Sequence, residues 1–161
     1  MNDHRWTKNA IESFFNIISK ENYENDKINC CKVICKESTI VSNQLGVFAN
    51  TDINKGDIVE WGVACYIPGI DVRETDHLFS WSTTDRSIAA TVSGCGLYYN
   101  TLGDKSNCRC VPYHSEMRFE IYALEAIKKG TELTFRYDSM NYREGMKELL
   151  PIVGKLVNGD K

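Results

Sequence analysis

Two side chains stand out for the chemistry their types and spacing allow. Tyr137 places a phenol at the end of a short apolar run, Glu132 to Arg136, and Asn100 places a carboxamide at the end of a Gly/Tyr-rich approach, Gly94 to Tyr99. Taken alone, the phenol reads as a tyrosine capping a buried strand. The carboxamide reads as a turn residue that tolerates a left-handed backbone. They gain a chemical role only if the chain brings them together. The seven cysteines form a second group, with Cys30, Cys31 and Cys35 in one cluster and Cys108 and Cys110 in another. Adjacent cysteines project in different directions, and no His sits at ligand spacing. Buried free thiols are therefore expected here, and no metal.

The elements that must position these groups are mainly strands. Short stretches rich in β-branched and aromatic residues run over 31–36, 45–49, 57–66, 78–82, 86–92, 117–124 and 132–136, separated by turn signals. Met117, Phe119, Ile121 and Ala123 alternate with Arg118, Glu120, Tyr122 and Leu124, as in a strand with one buried face. The Lys-Gly pairs at 55/56 and 129/130 mark sharp turns in which glycine takes a positive φ. Around them the chain repeats itself: Ala49, Ile53, Lys55, Gly56 and Val59 return at identical spacing as Ala123, Ile127, Lys129, Gly130 and Leu133. A single pair is no solenoid; it implies one turn-and-strand unit used twice.

Helices flank this body. Ile11, Phe14, Phe15 and Ile18 fall at i, i+3, i+4 and i+7, which predicts an amphipathic helix over 6–20. Residues 21–29 are polar and Asn-rich and read as a linker, with the body starting near Ile28. Tyr142, Met146, Leu149 and Leu150 predict a second helix, ended by Pro151. The expected organisation is an N-terminal helix and linker over 1–27, one domain over 28–138 and a helical segment over 139–161 that closes the site.

Composition narrows the function. With 161 residues and 42% hydrophobic content, the chain suits one domain with a real core. A net charge of −3 supplies no basic field for a phosphate backbone, so no direct nucleic-acid partner is expected, and a basic peptide suits the surface better. No stretch approaches the roughly 20 apolar residues of a membrane span. The odd cysteine count and the absence of a secretory pattern imply a reducing, intracellular setting, cytoplasmic or nuclear.

In three places, and in order, the chain resembles the SET-domain protein lysine methyltransferases. Leu45, Gly46, Val47, Phe48 and Ala49, followed by Ile53, Lys55 and Gly56, resemble the family's opening motif. Gly94, Gly96, Leu97, Tyr98, Tyr99 and Asn100, closed by Ser106, Asn107 and Cys108, resemble its Asn-containing crossing. Glu120, Ile121, Ala123, Ile127, Gly130, Glu132, Leu133, Thr134, Phe135 and Tyr137 resemble its terminal motif. Thr101 stands where the family has His, Ser106 where it has Pro, and Gln44 where it has the first Gly of the cofactor loop. The cysteine-rich module that follows many members finds no counterpart in residues 138–161, which contain no Cys.

The resemblance implies a mainly β fold with flanking helices, a β-clip of several small sheets whose last motif passes beneath the crossing as a pseudoknot. It implies S-adenosyl-L-methionine as cofactor, cradled by Gly46, Val47 and Phe48 and bonded by Asn100 and the backbone of Thr101. It implies Tyr137 as the catalytic tyrosine, and Tyr98, Tyr99 and Phe135 as walls of a channel that admits a protein lysine from the opposite face, such as one on a histone tail. Phe135 falls at the family's Phe/Tyr switch, where Phe leaves room for more than one methyl group. Asp71, Glu74 and Asp76 give the short substrate-facing insert an acidic edge that could steer a basic peptide. Gln44, Thr101 and Ser106 keep a second reading open, a SET-like binding module without catalysis. A methyltransferase acting on a small amine is the third.

Overall fold

The computed structural model describes residues 28–70, 78–82, 85 and 88–137. The expected helices over 6–20 and 142–150, most of the linker and the acidic residues Asp71, Glu74 and Asp76 lie outside them. Among the described residues, nine strands form two antiparallel sheets. Along the chain they are β1 (Ile28–Cys30), β2 (Val33–Glu37), β3 (Leu45–Ala49), β4 (Ile58–Ile67), β5 (Phe79–Ser80), β6 (Ala89–Val92), β7 (Cys108–Tyr113), β8 (Arg118–Ala123) and β9 (Glu132–Leu133). One sheet has the order β1-β2-β3-β9, the other β5-β6-β4-β8-β7.

β8 follows the alternation written in its sequence, with Phe119, Ile121 and Ala123 buried. Two strands depart from expectation. β1 takes the end of the segment read as a linker, pairing Ile28 to Cys30 with Cys35 to Val33. β7 was not expected, because Arg109 and Pro112 interrupt the apolar pattern of Cys108–Tyr113. It is an edge strand, the place where a residue without an N–H is tolerated.

β4 carries the feature that matters most for the site. Its pairing with β8 shifts between Ile58 and Glu60, a bulge that turns the consecutive residues Val59 and Glu60 both inward. Beyond the bulge Gly62 and Ala64 face in, and Trp61 and Val63 face out, 69% and 54% exposed. The two tryptophans of these strands and their neighbours differ in the same way: Trp81 is buried, whereas Trp61 lies on the open face.

The terminal motif does not continue as a strand through 136. After β9 it makes isolated parallel bridges, Thr134 with Asn100 and Phe135 with Cys108. The Phe135 N–H donates to the Asn100 carbonyl at 3.1 Å, and the Cys108 N–H donates to the Thr134 carbonyl at 2.9 Å. Residues 132–135 thus run between the two ends of the crossing, with β3 beyond Leu133. Thr134 and Leu133 are fully buried there. The reach of a strand supplies the geometry, and the crossing on both sides replaces a longer ladder.

Candidate active site

The threaded segment ends at Tyr137, and its position is fixed at two points. The Tyr137 hydroxyl donates to the Tyr99 carbonyl at 2.5 Å, and its backbone N–H donates to Thr101 Oγ1 at 3.3 Å. The phenol ring packs on Phe135, with centroids 5.3 Å apart, and Phe135 in turn packs on Tyr99 at 5.5 Å and Phe79 at 6.1 Å. A polar tip on an aromatic wall is what a tyrosine offers when one side is dry.

The Asn side chains of the crossing hold the other side. Asn107 imitates a strand partner: its Nδ2 donates to the Glu132 carbonyl, and its Oδ1 accepts from the Thr134 N–H, both at 2.9 Å. Asn100 Nδ2 lies within donor distance of Ser38 Oγ at 3.0 Å, the Leu45 carbonyl at 3.2 Å and Glu132 Oε1 at 3.0 Å. Asn100 Oδ1 accepts no bond from the described residues, which leaves an acceptor at this half-buried position.

Glu132 is buried and acts as the hub of this corner. Ser38 Oγ, the Thr39 N–H and Thr39 Oγ1 all donate to its carboxylate at 2.6–2.7 Å, besides Asn100. Gly46 packs directly against it, for a Cβ at that position would fall 2.3 Å from Glu132 Oε1. These bonds satisfy a charge that burial would otherwise penalise.

A second buried carboxylate, Glu60, lies beneath the crossing. The Cys95 N–H donates to Glu60 Oε1 at 2.6 Å and the Tyr99 hydroxyl to Oε2 at 2.8 Å. Desolvation raises the Glu60 carboxyl above its ordinary range, against the lowering effect of those two bonds. Burial, followed by the Glu60 charge, raises the Tyr99 phenol well above its usual value, so it stays a donor. Burial first, then Glu60 and Cys30, pushes the Cys35 thiol up to about 11.

The SET domain family model matches residues 44–138. The chain belongs to the SET domain family. Among solved structures, this SET domain is similar to a candidate histone methyltransferase of Plasmodium falciparum, with 22% identity, TM-score 0.50, and coverage of 68% of this chain and 95% of that one. It is similar to the methyltransferase domain of human PR domain-containing protein 2, with 17% identity, TM-score 0.52, and coverage of 72% and 83%. It is also similar to a chain of an active polycomb repressive complex 2 in the basal state, with 25% identity and TM-score 0.55, covering 67% of this chain and 15% of that one. No curated relative matches by sequence.

Within the SET domain, the residues singled out from sequence fall into two sets. Tyr99, Phe135 and Tyr137 meet in one aromatic cluster; Tyr98 is half-buried against the same core. Gly46, Val47 and Phe48 lie in the interior strand β3, where β2 flanks all three and β9 flanks Val47 and Phe48. Ser42, Asn43 and Gln44, just before that strand, are exposed, and Asn43 has a φ of 60°. Thr101 is buried with its hydroxyl accepting from the Gly103 and Tyr137 N–H groups. Glu60 and Cys95 were missed. Nothing in their local sequence marks them, because Glu60 faces inward only through the bulge in β4.

Proposed function

We propose that this SET domain is an S-adenosyl-L-methionine-dependent methyltransferase that modifies a lysine side chain of a protein substrate, with Tyr137 as the catalytic tyrosine. The observation that carries this reading is the Tyr137 hydroxyl held on the Tyr99 carbonyl at the end of a threaded strand, against the Phe135 ring. The cofactor fits the corner beside it. Asn100 offers to an adenine amine a carboxamide oxygen that accepts no bond from the described residues, and the exposed approach Ser42–Gln44 leads into Gly46. S-adenosyl-L-methionine, when bound, supplies a methyl group on a sulfonium.

The residues of the chain then have three tasks. Phe135, Tyr99 and Tyr98 wall a channel that disfavours the charged ammonium, whose ordinary pKa is near 10.4, and so favours the neutral, attacking amine. The Tyr137 hydroxyl orients that amine, and the Tyr99 carbonyl fixes the hydroxyl in turn. Carbonyl oxygen and phenol oxygen together place partial negative charge where the positive sulfonium would react. Two of the neighbours in solved structures support this reading through their names, one a candidate histone methyltransferase and the other a methyltransferase domain.

The test is Tyr137→Phe in the full chain, assayed on a lysine-containing basic peptide. Turnover should fall by about 100-fold or more while calorimetric affinity for S-adenosyl-L-methionine stays within about twofold. Unchanged turnover would remove Tyr137 from the chemistry. No binding heat with the wild-type chain would instead favour the binding module, to which the replacements at Gln44, Thr101 and Ser106 point.

A further inference from the structure

We propose that Cys30, Glu60 and Cys95 form a binding site for one soft divalent cation of the zinc class, separate from the methyl-transfer channel. One sulfur or carboxylate oxygen from each residue lies within 4.8 Å of the other two. The two sulfurs are 3.9 Å apart. Two thiolates at about 2.3 Å from a tetrahedral zinc lie about 3.8 Å from each other, so the pair already has the edge length of a coordination tetrahedron.

Three distant segments converge to make this geometry. Cys30 ends β1, Glu60 sits at the bulge of β4, and Cys95 follows the turn after β6. Gly94 opens the space between them. It takes a φ of +67°, and a Cβ there would fall 2.2 Å from Glu60 Oε1 and 3.6 Å from Cys30 Sγ. A side chain at position 94 would fill the site.

Charge supplies the second argument. Glu60 is 6% exposed, and its bonds come from the neutral Cys95 N–H and Tyr99 hydroxyl. No lysine or arginine among the described residues pairs with it. A buried carboxylate with hydrogen bonds but no counter-charge, beside two thiols, is a place where a bound cation gives the carboxylate a direct partner while the net charge of the site stays the same. Two thiols would each release a proton to solvent as the two sulfur–metal bonds form, so a divalent ion leaves the carboxylate and both thiolates with one residual negative charge. Thiolate ligands select zinc over magnesium or calcium. Cys30 is only half-buried, which provides a route of entry and room for a solvent ligand in the fourth position.

The experiment uses the full chain, reduced and stripped of metal, titrated without air by Co²⁺ as the spectroscopic probe. One equivalent should produce intense visible bands of tetrahedral geometry and a sulfur-to-metal charge-transfer band, and one equivalent of Zn²⁺ should abolish both. Cys30→Ser and Cys95→Ser should each lose the charge-transfer intensity of one sulfur. The double variant Cys31→Ser/Cys65→Ser, which removes the exposed thiols, should keep all of it. Circular dichroism checks that the serine variants are folded; Cys30→Ser, at the half-buried position, keeps the test usable if Cys95→Ser is not. A weak octahedral spectrum, or full bands in Cys30→Ser, would overturn the proposal. A Cys30–Cys95 disulfide in the aerated chain with no cobalt bands in the reduced one would do the same.

Discussion

Residues 49–59 and 123–133 are built alike and end differently. Each is the other's partner. The Ile53 and Ile127 backbones exchange hydrogen bonds at 2.9 and 2.8 Å; Gly56 N–H donates to the Ala123 carbonyl, and Gly130 N–H to the Ala49 carbonyl, both at 2.8 Å. Ala49 N–H reaches the Thr131 carbonyl at 2.9 Å, and Ala123 N–H reaches the Asp57 carbonyl at 3.0 Å. Both turns close through a 3.1 Å bond, Asp57 to Asn54 and Thr131 to Lys128, and both glycines have a φ of +87°. The reciprocity describes a local two-fold relation. Beyond the turns it stops: one copy continues as the ten-residue β4, the other as the two-residue β9 that enters the crossing. The shared turn supplies the scaffold, and the strand leaving it sets the function.

The sharpest break in the relation is at the positions after the turns, Ile58 and Glu132. Ile58 is 39% exposed, whereas Glu132 is buried under four hydrogen-bond donors. Glu132→Ala should therefore cost about 3 kcal/mol, since it leaves Ser38, Thr39 and Asn100 with unmet donors in a dry corner. Ile58→Ala should cost less than about 1 kcal/mol. Urea unfolding of both variants measures the contrast; equal losses would mean that the Glu132 corner is not a buried hub.

Legibility in the sequence divides along the same line. The echo was legible because its cause is local: Gly56 and Gly130 are required by backbone conformation, and Ile53 and Ile127 by burial. The pairing of Asn100 with the terminal motif was legible only through resemblance, since a crossing between residues 100 and 134 leaves no period to detect. Glu60 was not legible. Its burial depends on a bulge in β4, its donors come from Cys95 and Tyr99, and neither is encoded near it. β7 was hidden by Pro112, which an edge position permits.

Where the two copies agree, matched substitutions should have matched effects. A Cβ at Gly56 or Gly130 meets nothing within 4 Å, so alanine at either position pays only for the left-handed backbone. Gly56→Ala and Gly130→Ala should each cost about 1–2 kcal/mol. Their urea midpoints should agree within the error of the measurement. A much larger loss at Gly130 would show that the threaded strand places an added demand on its turn.

The smallest difference between the copies is a charge that only one has. Asp52 bonds Lys128 Nζ at 2.7 Å and the Lys129 N–H at 2.9 Å, and the equivalent position in the second copy is Ala126. The Lys128 hydrogen bond first, and then the Lys129 N–H, hold the Asp52 carboxyl below its usual range. A carboxyl with a lowered folded pKa stabilises the fold above its unfolded value and loses that contribution as pH falls through the folded one. Asp52→Asn should therefore flatten the fall of melting temperature below about pH 4, with little change at neutral pH. Because both groups are exposed, added salt should shrink the difference further. A large destabilisation of Asp52→Asn at neutral pH would mean that the two turns are held together by this ion pair, and not by the reciprocal backbone bonds at Ile53 and Ile127.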